Sequence, residues 1–143
     1  MEPGEWALWN DWMRAQRLLA RELDRALQRD YGISKAEFSV LVTLHQTPKD
    51  RLRVGELAES LGWEKSRVAH QLTRMEQREL VERTDSGGRR IDVGLTAKGR
   101  DVVQQAIGGH AENIREYFFE PLTPEQTDAI QAWSRQILDR IEP

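Results

Sequence analysis

Apolar side chains recur at spacings of three and four residues over most of the chain, which is the period of an amphipathic α-helix. The first such segment runs from Glu5 to about Arg29, and the second runs from Lys35 to about Gln46. The same period returns from Thr96 to about Phe119 and again from Pro124 almost to the last residue. The pattern therefore predicts a mainly α-helical protein.

Two shorter helices are predicted in the middle of the chain. The first ends at Gly62, and the second carries its apolar stripe on Val68, Leu72 and Met75. Two short helices with a glycine in the turn between them are typical of a helix-turn-helix. Just before them, Leu52–Val54 is a candidate for a short strand.

The second of these short helices has a polar face opposite its apolar stripe. The side chains on that face are Ser66, Arg67, His70, Gln71 and Arg74. Such side chains can pair with base edges in the major groove of DNA, which is wide enough to admit a helix. A solvated helix face has the same composition, so this helix alone leaves both interpretations open.

A period-two alternation of apolar and polar residues follows and predicts a β-hairpin. Its strands are Leu80–Arg83 and Ile91–Leu95, joined by the glycine-rich turn Asp85–Arg90. Arg89 and Arg90 stand together near the tip of this turn. A hairpin directly after a recognition-type helix is a wing, and arginines at its tip suit a narrow minor groove or the neighbouring phosphates. The hairpin favours DNA binding.

With these elements in place, the sequence resembles the MarR family (multiple antibiotic resistance regulators) of winged-helix transcription factors. The similarity is carried by ELAESLG at 56–62, EKSRVAHQLTRMEQRELVER at 64–83 and GRRIDVGLTAKG at 88–99. The order of the helices before and after these motifs also fits. The resemblance therefore covers nearly the whole chain.

The resemblance implies a mainly α fold with a small β wing, in which a winged helix-turn-helix lies between dimerisation helices. We expect residues 1–143 to form one protomer, with dimerisation helices at 1–33 and 100–143 and the DNA-binding region at 34–99. Two such protomers would bind a pseudo-palindromic operator in double-stranded DNA, most simply as a repressor. Family members respond to small aromatic or phenolic effectors that bind between the dimer helices and the winged domain.

Candidate contact residues follow from the polar helix face, the wing and this resemblance. For DNA, we predict contacts by Lys65, Ser66, Arg67, His70, Gln71, Arg74, Arg89, Arg90 and Arg53. For an effector, the aromatic N-terminal helix suggests that Trp12, Arg17 and His45 line the site. Core or dimer packing is the preferred explanation of the same tryptophan-rich segment, because aromatic side chains carry a large apolar area and are enriched at interfaces.

Two positions depart from the family pattern. An acidic residue usually precedes the arginine pair of the wing, and Gly88 stands there instead, which leaves Asp85 or Asp92 as the carboxylate that could brace the wing. The recognition helix usually begins at a Ser or Thr N-cap, and Glu64 occupies that position. A carboxylate complements the positive end of the helix dipole, but Glu is a weaker cap than Ser.

Charge and composition add limits to this interpretation. The net charge of the 143 residues is -3, yet residues 51–100 carry 11 Lys and Arg against 8 Asp and Glu, so the predicted DNA-binding region is locally basic. The absence of cysteine excludes disulfides and thiol-based sensing. No apolar run is long enough to cross a bilayer, and the N-terminus does not resemble a signal peptide, so we expect a cytoplasmic protein.

Other function classes find little support in the sequence. The three histidines lack metal-ligand spacing, and no nucleophile or phosphate-loop motif is present, so we expect no metal, no cofactor and no enzyme activity. The alternative function is a winged-helix module that binds a protein partner without reading DNA. Such a surface should expose aromatic anchors, and the polar helix face has none. Trp63, in the turn before it, is assigned to packing.

Overall fold

The computed structural model describes all 143 residues and contains six α-helices and a small antiparallel sheet. The elements are α1 (Pro3–Tyr31), α2 (Lys35–His45), β1 (Arg51–Arg53), α3 (Val54–Leu61), α4 (Lys65–Gln77), β2 (Val81–Asp85), β3 (Ile91–Leu95), α5 (Ala97–Ile114) and α6 (Pro124–Ile141). A 3₁₀ turn at Pro48–Asp50 precedes β1, and a π-helical turn at Arg115–Phe119 extends α5. This architecture confirms the predicted mainly α fold with a winged helix-turn-helix.

Local sequence signals explain where most helices begin. The Ser34 and Thr123 hydroxyls accept hydrogen bonds from the backbone N–H groups of Glu37 and Gln126, and both helices carry complete capping boxes. The Thr96 hydroxyl caps α5 in the same way. The α3 helix ends at Gly62, whose φ of 67° is a left-handed conformation that glycine adopts without steric cost.

The sheet has the strand order β1-β3-β2, with both pairs antiparallel. The predicted third strand is confirmed, although it occupies Arg51–Arg53, one residue earlier than expected. The first wing strand also begins later than predicted. Leu80 is still held by the preceding helix, because its N–H donates to the carbonyl of Met75 at 3.0 Å.

The hydrophobic core joins α2, α3, α4 and the inner face of the sheet, and α1 and α5 contribute from the other side. Leu41, Leu57, Leu72 and Val93 are fully buried in this single cluster. Burial of α4 along Val68, Leu72 and Met75 fixes which of its faces turns outward.

The glycine pair in α5 produces a close approach and leaves the helix unbroken. The α5 helix continues through Gly108 and Gly109. A Cβ atom at Gly109 would lie 1.8 Å from the Tyr31 hydroxyl oxygen, whereas one at Gly108 would meet nothing within 4 Å. Gly109 therefore lets α5 pack against the end of α1. No helix in the chain has the length and apolar character needed to cross a membrane.

Candidate nucleic-acid interface

The outward face of α4 carries most of the side chains predicted to contact DNA. Lys65, Ser66, Arg67, His70 and Arg74 are all exposed. Ser66, Arg67, His70 and Arg74 occupy the side of α4 that lies away from its buried stripe, because Val68, Leu72 and Met75 anchor the opposite side in the core. Lys65 precedes Val68 by three residues, so it continues the row of the buried stripe and is exposed at the first position of the helix. The helix therefore presents a continuous polar surface to solvent.

Gln71 is the exception, and its predicted place on the outward face is wrong. Only 5% of Gln71 is exposed. It lies three residues after Val68 and four before Met75, so the helical period places it on the buried stripe. Its side-chain carbonyl accepts a hydrogen bond from an Arg74 guanidinium nitrogen at 2.6 Å. Gln71 thus orients Arg74 and does not present its own amide to solvent.

Arg67 is placed by an aromatic contact that the sequence did not predict. Its guanidinium carbon lies 4.0 Å from the ring centroid of Trp63, in the turn between α3 and α4. Trp63 is half-buried and packs against the hydrophobic core. The predicted packing role of Trp63 is therefore confirmed, but one ring face also supports a cation. The four-residue separation of an aromatic residue and an arginine at a helix start was the available signal.

The start of α4 also offers backbone donors. Glu64 is the N-cap residue, but its side chain accepts no capping hydrogen bond. The amides of the first turn of α4 therefore remain free to bind an anion such as a phosphate. Glu64 is itself negatively charged and adjoins this first turn, so its charge opposes the binding of an anion there.

The wing tip exposes both arginines and lacks the expected carboxylate brace. The Asp85 carboxylate accepts the backbone N–H of Gly87 at 2.9 Å, and neither Asp85 nor Asp92 forms an ion pair with Arg89 or Arg90. The tip is instead shaped by three consecutive left-handed residues, Gly87, Gly88 and Arg89, with φ values of 96°, 59° and 68°. Both guanidinium groups are left without a partner in the chain.

The wing and the start of α4 border one open groove. Its basic side chains are Arg53, Lys65, Arg89 and Arg90, and its acidic ones are Glu56, Glu59 and Glu64. Four cations face three carboxylates, so the attraction for phosphates is local and modest. The structure thus brings together Arg53, the start of α4 and the wing around one groove.

Other arginines of this region have structural partners. Arg83, on β2, donates to Glu76 at 2.5 Å and to Thr73 at 3.0 Å, which fastens the wing to α4. Arg78, the C-cap residue of α4, pairs with Glu37 and also donates to the Gly32 carbonyl at 2.6 Å. From its place near the end of the recognition helix, the sequence makes Arg78 a lesser candidate for phosphate contact. Its two bonds within the chain show a structural role.

The three residues predicted to bind an effector do not meet within one chain. Trp12 packs edge-to-face against Trp133 of α6, with ring centroids 5.6 Å apart. Arg17 is exposed on α1. His45, at the end of α2, has its Nδ1 atom 3.9 Å from a carboxylate oxygen of Asp50. No hydrogen bond, ion pair or aromatic contact joins the three side chains.

In the sequence, His45 and His110 fall at the polar edges of apolar stripes, which predicts partly buried rings with satisfied hydrogen bonds. The Nδ1 atoms of both rings are buried without a hydrogen-bond partner, so the expectation of satisfied bonding is wrong for that atom. The His110 ring packs on Phe38 at 4.7 Å, and its Nε2 atom lies 3.4 Å from the Lys35 ammonium. Burial, reinforced by the Lys35 charge, lowers the pKa of His110.

Comparisons with known proteins agree with this geometry. The family model described as "MarR family" matches residues 33–91. A MarR family transcriptional regulator of Streptomyces coelicolor, Sco3205, solved in complex with DNA, is 33% identical, with 100% of this chain and 91% of that chain covered and a TM-score of 0.89. A second regulator from that organism, AbsC, is 29% identical, with 99% and 96% covered and a TM-score of 0.88.

A third solved structure extends the comparison to another organism. The Mycobacterium tuberculosis transcriptional regulator MOSR, solved in complex with DNA, is 25% identical, with 94% of this chain and 97% of that chain covered and a TM-score of 0.70. A comparison with curated protein sequences finds no match.

Proposed function

The chain belongs to the MarR family of transcriptional regulators, and from that premise we propose that it is a homodimeric, ligand-responsive repressor that binds a pseudo-palindromic DNA operator. The DNA-binding regulator is the function that the family and the fold establish. The dimer, the direction of regulation and the contact residues are the parts that we add.

The assignment of DNA contacts rests on one observation: α4 and the wing border the same groove. Lys65 and Ser66 on α4 line the same groove as Arg89 and Arg90 on the wing. We assign base-edge contacts to the exposed α4 face, and phosphate or minor-groove contacts to the wing arginines and Arg53. We do not assign a direct DNA contact to Gln71, because it is buried and accepts a hydrogen bond from Arg74.

The helices at the two ends of the chain support a homodimer. No residue of α6 is buried, although several of its side chains are large and apolar. Trp133, Leu138 and Ile141 are 44%, 55% and 72% exposed. On α1, Trp9 and Leu8 are likewise exposed and border an apolar pocket with Trp133. A second copy of the chain that covers these surfaces would remove a large apolar area from water.

We also propose that a small aromatic effector regulates this dimer, but that its site is completed by the second protomer. Trp12 lines the apolar pocket between α1 and α6, whereas His45 lies beside Asp50 in the winged region. Trp12, Arg17 and His45 can therefore serve one site only if the two protomers bring them together. An effector that binds one arrangement of the dimer more tightly would shift the separation of the two recognition helices.

Two further properties complete the proposal. Because relatives are transcriptional regulators, we propose that the protein acts by binding and has no catalytic activity of its own. Because the proposed target is a DNA operator, we propose that the protein acts in the cytoplasm.

The experiment that tests the function is a selection of bound fragments from random double-stranded DNA at two salt concentrations, combined with the mass of the protein in solution. We expect an inverted repeat bound by a dimer, with half-sites about one helical turn apart. Binding that yields no common sequence and only follows salt would reject specific readout. The protein-partner function would then take its place.

A further inference from the structure

The contact between Trp63 and Arg67 stands apart from the other arginine contacts of the DNA-binding region. Arg67 is the third residue of α4 and is exposed, and its guanidinium carbon lies 4.0 Å from the indole centroid. Trp63 is held in place by the core on one side and borders the groove between α4 and the wing. The indole under Arg67 is therefore positioned by its packing against the core.

The N–H groups of Arg67 are all unused within the chain. Arg74 donates to Gln71, Arg78 to Glu37 and Gly32, and Arg83 to Glu76 and Thr73. Arg67 makes no hydrogen bond and no ion pair within the chain, and its guanidinium carbon lies over the Trp63 ring. A cation that stacks on an aromatic face keeps its edge, and therefore its donors, free for another partner.

We propose that Trp63 is a positioning residue that holds Arg67 ready to recognise a guanine in each half-site of the operator. The free edge of Arg67 can donate two parallel hydrogen bonds to the O6 and N7 atoms of guanine in the major groove. Stacking removes much of the rotational freedom of the long arginine side chain before DNA binds, which lowers the entropic cost of that contact. This inference rests on the proposed function and names one base that the protein reads.

The test compares Trp63→Leu, which keeps an apolar side chain but removes the aromatic face, with Trp63→Phe, which keeps a ring. Binding to the selected operator and to a random duplex is measured for both variants, and the DNA selection is repeated with Trp63→Leu. We expect Trp63→Leu to weaken operator binding about two- to fivefold per half-site, hence about four- to twenty-five-fold for a dimer, with the random duplex affected less than twofold. Trp63→Phe should retain most of the affinity.

The position of the effect in the operator identifies Arg67 as the mediator. Arg67→Ala should erase a guanine preference at one position of each half-site, and Trp63→Leu should reduce the preference at that same position. In the Arg67→Ala background, Trp63→Leu should change operator affinity by less than twofold. Equal losses on operator and random DNA, an effect at a different base, or no effect at all would overturn the proposal.

Two further measurements distinguish a role of Trp63 in packing alone from a role in positioning Arg67. Thermal unfolding of Trp63→Leu shows whether the substitution disturbs the fold. If it does, the same binding measurements are made on Trp63→Met, for which we expect the same result. Arg67→Lys tests the guanine contact in a chain that keeps Trp63. Arg67→Lys keeps the charge but lacks the planar fork that stacks on the indole and donates two parallel hydrogen bonds, so it should weaken the guanine preference while keeping random-duplex affinity. An unchanged preference in Arg67→Lys overturns the proposal, whereas failure of the wild-type chain to select any sequence rejects the proposed function itself.

Discussion

Arg78 and Glu37, which are 41 residues apart, form an ion pair that connects the end of the recognition helix to the start of α2. The Glu37 side chain is 11% exposed, and its carboxylate also accepts the backbone N–H of Ser34 at 2.9 Å. Arg78 additionally donates to the Gly32 carbonyl at the end of α1. One guanidinium group therefore connects α4 to the corner between α1 and α2.

We expect Arg78→Ala to lower the free energy of unfolding by about 1–2 kcal/mol. The substitution leaves the nearly buried Glu37 carboxylate without its cation, and the figure takes account of the partial exposure of Arg78. Urea denaturation measures the change. Arg29→Ala is a matched control, because Arg29 pairs with its neighbour Asp30 on the fully exposed surface of α1. A loss in the control as large as that in Arg78→Ala would contradict the assigned role.

The local parts of the fold could be predicted from the sequence, whereas this long-range pair could not. Helix starts at Ser34, Thr96 and Thr123 follow from side chains within three residues of one another. By contrast, nothing in the sequence near Arg78 indicates that Glu37 will lie beside it. That contact exists only after α2 and α4 have packed around the shared core.

Gly99 and Gly108 should respond in opposite directions to alanine, although both lie in α5. A Cβ atom at Gly99 would lie 2.0 Å from the Leu80 carbonyl oxygen, which belongs to the backbone and cannot easily move. We expect Gly99→Ala to cost about 1–3 kcal/mol of stability. Gly108→Ala meets open space in the chain and should add about 1 kcal/mol through helix propensity. Thermal unfolding of the two variants checks both signs, and a stabilised Gly99→Ala would refute the close approach.

The stability of the fold should fall as the pH drops below the ordinary histidine pKa of 6.5, in part because of His110. Burial and the Lys35 ammonium lower the pKa of His110 in the folded state. The unfolded chain then takes up this proton first as the pH decreases, so protonation favours unfolding. His110→Gln should reduce the loss of stability between about pH 7 and 5.

The matched control for this pH dependence is His70→Gln, because His70 is exposed on α4 and has no hydrogen-bond partner in the chain. Urea denaturation at several pH values measures the slope for each variant. We expect the His70→Gln chain to keep the wild-type slope. A slope that is the same with and without His110 would show that this ring does not contribute.

Arg90→Ala should weaken binding to operator and random DNA alike. Arg90 lies exposed at the wing tip without a partner in the chain, so we assign it to phosphate contact, and phosphate contacts carry little sequence information. The slope of log affinity against log salt concentration should become shallower by about 0.9 for each lost phosphate contact. Arg29→Ala again serves as the control. A loss confined to the operator would instead assign Arg90 to base readout.

The candidate site was predictable in outline, and its errors have identifiable physical causes. Hydrogen-bonding side chains on α4 and arginines on the wing were visible in the pattern, and the structure places them around one groove. The sequence misleads at Gln71, because its polar side chain suggests the outward face of α4 although its position between Val68 and Met75 belongs to the buried stripe. The support of Arg67 by Trp63 required the geometry of the turn, since the same tryptophan serves the core and the surface together.

The central claim is that two copies of α4, held by one dimer, read two half-sites on the same side of the DNA. The most direct measurement compares the affinity for the selected operator with that for a duplex in which about five base pairs, half a helical turn, are inserted between the half-sites. We predict that the insertion reduces affinity nearly to that for random DNA, because the second recognition helix then faces away from its half-site. Undiminished binding to the extended duplex would contradict the claim, since each half-site would then be recognised independently of the dimer geometry.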